Sequence, residues 1–351
     1  MSAPQTAPKG AVPCPECGSE LGRSLLACPG CGRLVHAERL RSLASEAEDA
    51  AARGNGPAAL AAWRTALELL PAGSRQHETV SAKVLALSRQ VDGAAQSNVP
   101  AAPPPGSAWA RWLAPLGAAG LIVWKLKFVV VFVLTKAKLL LLGLTKAPTL
   151  VSALASFGVY WTVWGWKFAL GLVASMYVHE MGHVFALSRY GIRATAPMFV
   201  PGLGAFVRME QYPAEPREDA RVGLAGPMWG LYAAAAAWMV AFATGWGAWA
   251  AVARSAALLN LFNLIPLGPL DGGRGFRSLS GGQRWAAAGA LAAAWWVTHE
   301  GLLILLFVAA AARAAMGGHG HPAGDRGALA RYLWLVAALG ALTTVPVATP
   351  R

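Results

Sequence analysis

The chain has 351 residues, of which 56% are hydrophobic and only 13% charged, a balance that excludes an ordinary soluble domain of this length. Fifteen Trp and long runs of Ala, Leu and Val instead suit membrane helices with aromatic residues near the interfaces. The formal net charge is +13, but the Lys and Arg sit beside apolar segments, so they read as topology signals and contacts with anionic membrane lipid, and no nucleic-acid partner is expected.

The first hundred residues are polar, hold all four cysteines, and show no short apolar core before a small-residue cleavage site. This part is expected to stay in the cytoplasm, where thiols remain reduced and paired cysteines point to metal rather than disulfides. Residues 11–36 read Cys14-Pro-Glu-Cys17, ten residues, then Cys28-Pro-Gly-Cys31, with Gly18 and Gly32 directly after the pairs. Two such turns can aim four thiolates at one tetrahedral zinc, a structural one because no position is left for water. The segment resembles small zinc ribbons, with a shorter gap than their commonest spacing; a redox pair or free thiols is the alternative.

Residues 37–92 are rich in Ala, Leu, Glu and Arg at helical spacing, punctuated by Gly54-Asn55-Gly56-Pro57 and by Leu70-Pro71, and read as a helical hairpin. Residues 58–71 resemble the second helix of a tetratricopeptide repeat, but only one repeat is present where solenoids need about three, so a hairpin packed on a neighbour is an equal reading. Residues 93–108, with Pro100, Pro103, Pro104 and Pro105, read as an extended linker. Residues 109–351 read as a membrane domain. Apolar stretches occur at 116–134 (interrupted by Lys125 and Lys127), 165–187, 222–243, 249–264, 285–311 and 332–347, each near or above the roughly 20 residues that cross a bilayer. The stretch 136–166 fits an interfacial segment, a re-entrant one or two short helices. The expected fold is mainly α: a polytopic helical membrane protein preceded by a small zinc ribbon and a helical hairpin.

The segment His179-Glu180-Met181-Gly182-His183 fits HExxH. Residues four apart share a helix face, so His179 and His183 can hold one zinc, while Glu180, about 100° further round, reaches a water there and can act as its base. Zinc brings the pKa of such a water to about 7. A chance match with two satisfied helix histidines is the bland reading. The apolar surroundings weigh against it, because ionisable groups at membrane depth need partners or a function. The best candidate for a third ligand is Asp271, in the stretch NLIPLGPLDGGR at 263–274, whose prolines and glycines break the helix where irregular backbone must be buried or line a cavity. A surface Asp-Gly turn is its alternative.

With these two motifs the chain resembles the site-2 protease family of intramembrane zinc metalloproteases. HEMGH matches the family's HExxH and NLIPLGPLDGGR its NxxPxxxLDG motif, in the same order, and the resemblance covers roughly residues 160–280. It implies His179, His183 and Asp271 as ligands of a catalytic zinc and Glu180 as the base. It also matches Asn263 to an asparagine near the substrate, whose amide could donate to an oxyanion; a helix-packing role is the other reading. Phe199-Val-Pro-Gly-Leu-Gly-Ala-Phe-Val207 resembles the family's short membrane-embedded strands, and Gly226-Pro227 the pair that opens its next helix. Between Val207 and Ala225 there is no room for the PDZ domain that some members insert.

Arg189 and Arg193, then Arg217 and Arg221, then Arg274, Arg277 and Arg284 flank three apolar stretches. Positive charge favours the cytoplasmic side, which would put both motifs at similar depth near that face. His299-Glu300 lies midway along 285–311, with a break between two shorter helices preferred over a second functional pair. The expected activity is hydrolysis of peptide bonds in transmembrane substrates, in regulated intramembrane proteolysis. The expected location is a multi-pass protein of a bacterial-type inner membrane with a cytoplasmic N-terminus, which could dock a cytosolic partner. A non-catalytic scaffold or sensor is the principal alternative, and a metal transporter a further one.

Overall fold

The computed structural model describes residues 12–22, 24–97, 147–317 and 323–347. The apolar stretch at 116–134 and most of the linker lie outside the described residues. The chain forms two compact units: Met1–Val99 with Ser188–Arg193, and Pro100–Leu187 with Ala194–Arg351.

In the first unit, strands β1 (Val12–Pro13) and β2 (Glu20–Leu21) pair antiparallel, and an Ala27–Leu34 bridge closes a second turn of the same kind. Three helices follow, α1 (Ala37–Ala52), α2 (Gly56–Glu68) and α3 (Arg75–Ser97), where two were expected. The chain restarts after Pro71 because the Ser74 hydroxyl accepts the His77 N–H at 3.2 Å. Val80, Val84, Leu87 and Val91 then recur at helical spacing and pack with Leu43, Leu60 and Trp63. Asn55 caps α2 in the same way, its Oδ1 accepting from Ala58 N–H at 3.2 Å, with Pro57 in the first turn. The buried Arg64 of this unit donates from Nε to the Tyr190 carbonyl at 2.9 Å.

The second unit is helical apart from one small hairpin. Helices α4 (Ala147–Trp164) and α5 (Trp166–Arg189) precede strands β3 (Met198–Val200) and β4 (Gly204–Phe206), which pair antiparallel with Phe199 opposite Ala205. Then come α6 (Pro216–Thr244), α7 (Gly247–Asn263), α8 (Asp271–Arg277), α9 (Gly281–Thr298), α10 (Gly301–Ala315) and α11 (Arg326–Thr343). The described part of the ambiguous stretch is thus one helix. Leu224, Leu261, Phe276, Leu291, Leu306 and Leu335 meet in the main core, where the Tyr332 hydroxyl donates to the Leu264 carbonyl at 3.0 Å. The hairpin is held on α4: Ser152 Oγ accepts from Phe199 N–H at 3.2 Å, and the Tyr160 hydroxyl from Gly202 N–H at 3.1 Å. Among the described residues, α6 is the one helix long and apolar enough to cross a membrane by length and composition.

One expectation changes in detail, and the preferred break at His299-Glu300 is found. Gly226-Pro227 does not open a helix: α6 starts at Pro216, with Glu218 and Asp219 in its first turn, and Pro227 lies inside it. Proline at the first helical position and acidic groups beside the positive helix end explain that earlier start. The stretch 285–311 is two helices. His299 ends α9 at φ 54°, and Glu300 is the N-cap residue of α10. A left-handed non-glycine residue is strained by roughly 1–2 kcal/mol, so His299→Gly is expected to raise the denaturation midpoint of the purified protein and leave its metal content unchanged. A loss of metal would mean that the pair does more than break the helix.

Candidate metal centre

Helix α5 carries His179, Glu180 and His183, all buried. Both histidines lie on one face, and both have an acceptor on Nδ1. His183 Nδ1 is 2.9 Å from the Val222 carbonyl oxygen of α6. His179 Nδ1 is 2.8 Å from Asn260 Oδ1 of α7, while Asn260 Nδ2 donates to the Ala256 carbonyl at 2.7 Å. A carbonyl only accepts, so the Asn260 amide nitrogen faces Ala256 and its oxygen faces His179. Each Nδ1 therefore carries a ring proton, and Nε2 is the atom that each imidazole, when neutral, can offer to a metal.

Asp271 completes the corner. It is the first residue of α8, delivered by the irregular turn after Asn263, and its Oδ2 lies 3.1 Å from His179 Nε2 and 3.3 Å from His183 Nε2. The two Nε2 atoms are 3.2 Å apart. Three donor atoms so close need positive charge between them, from a metal ion or from a proton shared by an imidazole and the carboxylate. Ligands at about 2.0–2.2 Å in a tetrahedron stand roughly 3.3–3.6 Å apart, and the triangle, at 3.1–3.3 Å, comes close to this. The two nitrogens and one carboxylate oxygen suit zinc and leave a fourth position open.

Neighbouring residues hold this geometry. Asp219 at the start of α6 accepts from Arg274 Nε at 2.7 Å and Arg277 Nη1 at 2.8 Å, which fixes α8 on α6. Helix α6 comes close because it lacks a side chain where the imidazoles lie: a Cβ on Gly226 would stand 2.2 Å from His183 Nε2 and 2.7 Å from His179 Nε2. The backbone of Val207, just after β4, lies beside the Glu180 carboxylate. Asn263 Nδ2 lies 3.5 Å from His179 Nε2, so the structure brings it to the same corner. Asn260 was not singled out from the sequence. Its signal was there, since Asn260 and Asn263 are three apart on one helix face in an otherwise apolar stretch.

The four cysteines also converge. Cys14 Sγ is 3.8 Å from Cys31 Sγ, and Cys17 Sγ is 3.5 Å from Cys28 Sγ. Zinc–sulfur bonds of about 2.3 Å put tetrahedral sulfurs roughly 3.8 Å apart, so the donors fit a closed four-cysteine site and not a disulfide. The knuckles repeat: Gly18 N–H donates to the Cys14 carbonyl and Gly32 N–H to that of Cys28, each at 2.9 Å, with both glycines near φ 72–73°. The Ser19 hydroxyl and then its backbone pull the Cys17 thiol down to about 6, toward the thiolate that metal takes.

Purified full-length protein is expected to hold two zinc ions per chain by elemental analysis. Cys28→Ser should remove one of them, and Gly226→Ala, by driving a methyl into the imidazoles, the other.

Residues 167–246 match the sequence profile of Peptidase family M50. The zinc metalloprotease MJ0392 of Methanocaldococcus jannaschii is 31% identical over 127 residues, which are 34% of this chain and 35% of that protein. The match thus spans about a third of that curated relative. No solved structure matches the chain. The resemblance to site-2 proteases read from the motifs is borne out by these matches. Asp271 lies beyond the residues matched to the family, so its place at the centre rests on geometry.

Proposed function

We propose that this relative of the M50 peptidases is a zinc metalloprotease that hydrolyses peptide bonds of transmembrane substrates within the membrane, in regulated intramembrane proteolysis. The observation that carries this reading is the triangle of metal-ligand atoms from His179, His183 and Asp271 with the buried carboxylate of Glu180 beside it. A pure scaffold has no use for Glu180. Zinc, when bound, supplies Lewis acidity toward a peptide carbonyl and toward water.

The residues of this chain supply the remaining chemistry. Glu180 takes a proton from the attacking water and later gives one to the departing amine nitrogen. Asn263 donates from Nδ2 to the charge that develops on the carbonyl oxygen. The zinc metalloprotease named above supports zinc as the metal, and the four-cysteine cluster supports a second, structural ion.

Helical substrates hide their amides in internal hydrogen bonds and must be unwound before attack. Strand β4 has β3 as its one partner strand among the described residues and carries the exposed Phe206. Its outer edge can take an unwound substrate as an added strand. A membrane setting is supported by outward-facing Trp161, Trp164, Phe242, Trp296, Leu305 and Val308. In this reading the second unit is a multi-pass domain of a bacterial-type inner membrane, and the zinc ribbon and helices lie in the cytoplasm, open to a protein partner. The arginines that suggest this orientation have a structural role too: Arg274 and Arg277 pair with Asp219, and Arg221 with Asp325.

Glu180→Gln in purified protein should keep its zinc and lose cleavage of a single-span substrate by about 10²-fold or more. Normal cleavage by that variant would overturn the catalytic role and favour the scaffold. Phe206→Asp should impair cleavage with zinc retained, measured on the same substrate; unimpaired cleavage would remove β4 as the capture edge.

A further inference from the structure

We infer that Asn260 is a positioning residue for the metal centre, acting through His179, and that Gly230 is the notch in α6 that lets it do so. The inference rests on the reading of His179 as a metal ligand.

Asn260 lies in α7, an apolar helix, and is buried. Its amide is fully committed in one orientation. Nδ2 donates to the Ala256 carbonyl at 2.7 Å, which turns Oδ1 toward His179 Nδ1 at 2.8 Å. The contact does two things. It keeps a ring proton on Nδ1, so that Nε2 is the nitrogen available to a metal, and it fixes the ring's rotation so that Nε2 faces Asp271 Oδ2. His183 gets the same service from a backbone carbonyl, that of Val222. His179 has a side chain in this role, so a substitution can remove it.

Gly230 supports the assignment independently. A Cβ there would stand 2.0 Å from Asn260 Oδ1 and 2.4 Å from its Nδ2. Gly226, one turn earlier on the same helix, clears the imidazoles in the same way. One face of α6 is thus cut away twice, for the histidines and for the amide that orients one of them.

The test uses full-length purified protein, with zinc affinity of the His/Asp site measured by chelator competition and its geometry by the absorption of the cobalt-substituted form. Asn260→Leu keeps the volume and removes the acceptor; zinc affinity should fall about 10- to 100-fold and the cobalt bands should shift. Asn260→Asp restores an acceptor for Nδ1–H, so affinity should return to within a few-fold of the parent. Gly230→Ala should weaken zinc binding as Asn260→Leu does, and the double variant should be no weaker than either single one, because both act through one contact. Parental zinc affinity in Asn260→Leu, or full additivity in the double variant, would overturn the inference. So would equal losses in Asn260→Leu and Asn260→Asp, the pattern of a merely structural amide. His179→Ala separates the two levels: if it keeps both zinc ions, the ligand reading fails, whereas zinc loss there with parental affinity in Asn260→Leu sinks only the role of Asn260.

Discussion

Three metal-ligand atoms meet at one buried corner, and much of the second unit is arranged to bring them there. Nε2 of His179, Nε2 of His183 and Oδ2 of Asp271 lie 3.1–3.3 Å apart. With no metal ion and no shared proton this triangle is repulsive, and burial strengthens the repulsion by removing water. The contacts behind it point every donor inward. The Val222 carbonyl and the Asn260 amide keep the imidazole protons on the far side, and the Asp219–Arg274–Arg277 cluster holds the helix that begins at Asp271. A site so directed is pre-organised for a metal ion: little has to reorganise when the ion arrives.

The helices can meet there because of what α6 lacks. Gly226 and Gly230 leave two gaps, one filled by imidazole and one by an amide. Pro227 sits between them, at a position where proline removes one backbone donor from the helix. The conformational cost of glycines and a proline inside a 29-residue helix is offset by the packing and polar contacts that the close approach permits. The first unit follows the same logic on a smaller scale. Gly18 and Gly32 adopt left-handed turns that no other residue takes without strain, and the turns set four sulfurs at tetrahedral spacing.

The hairpin beside the centre joins the site to the proposed substrate path. The Glu180 carboxylate lies beside the backbone of Val207, the residue that follows β4. The carboxylate proposed as base and the strand proposed to receive substrate are therefore adjacent. A substrate added to β4 would lie next to the group that activates water, which relates substrate capture to catalysis by position alone.

Much of this was legible in the sequence because spacing is a local property. HEMGH places two imidazoles one turn apart on any helix, and the two matched cysteine pairs imply their knuckles. The prolines and glycines around Asp271 announce a turn. The break at His299-Glu300 was readable as well, as two ionisable residues inside an apolar run. Other features depend on which helix packs against which, and no local pattern contains that. Asn260 differs from an ordinary helix asparagine only because His179, 81 residues away in sequence, lies against it. Gly226 and Gly230 look like any other helix glycines until α5 and α7 press on them. The start of α6 at Pro216 and the third helix of the first unit depend on caps and packing whose weight shows only in the folded chain. Sequence by itself determined the donor types and their local spacing, since these follow from helix and turn geometry. Tertiary structure alone decided the direction of each donor's proton, because that is set by an acceptor brought from elsewhere in the chain.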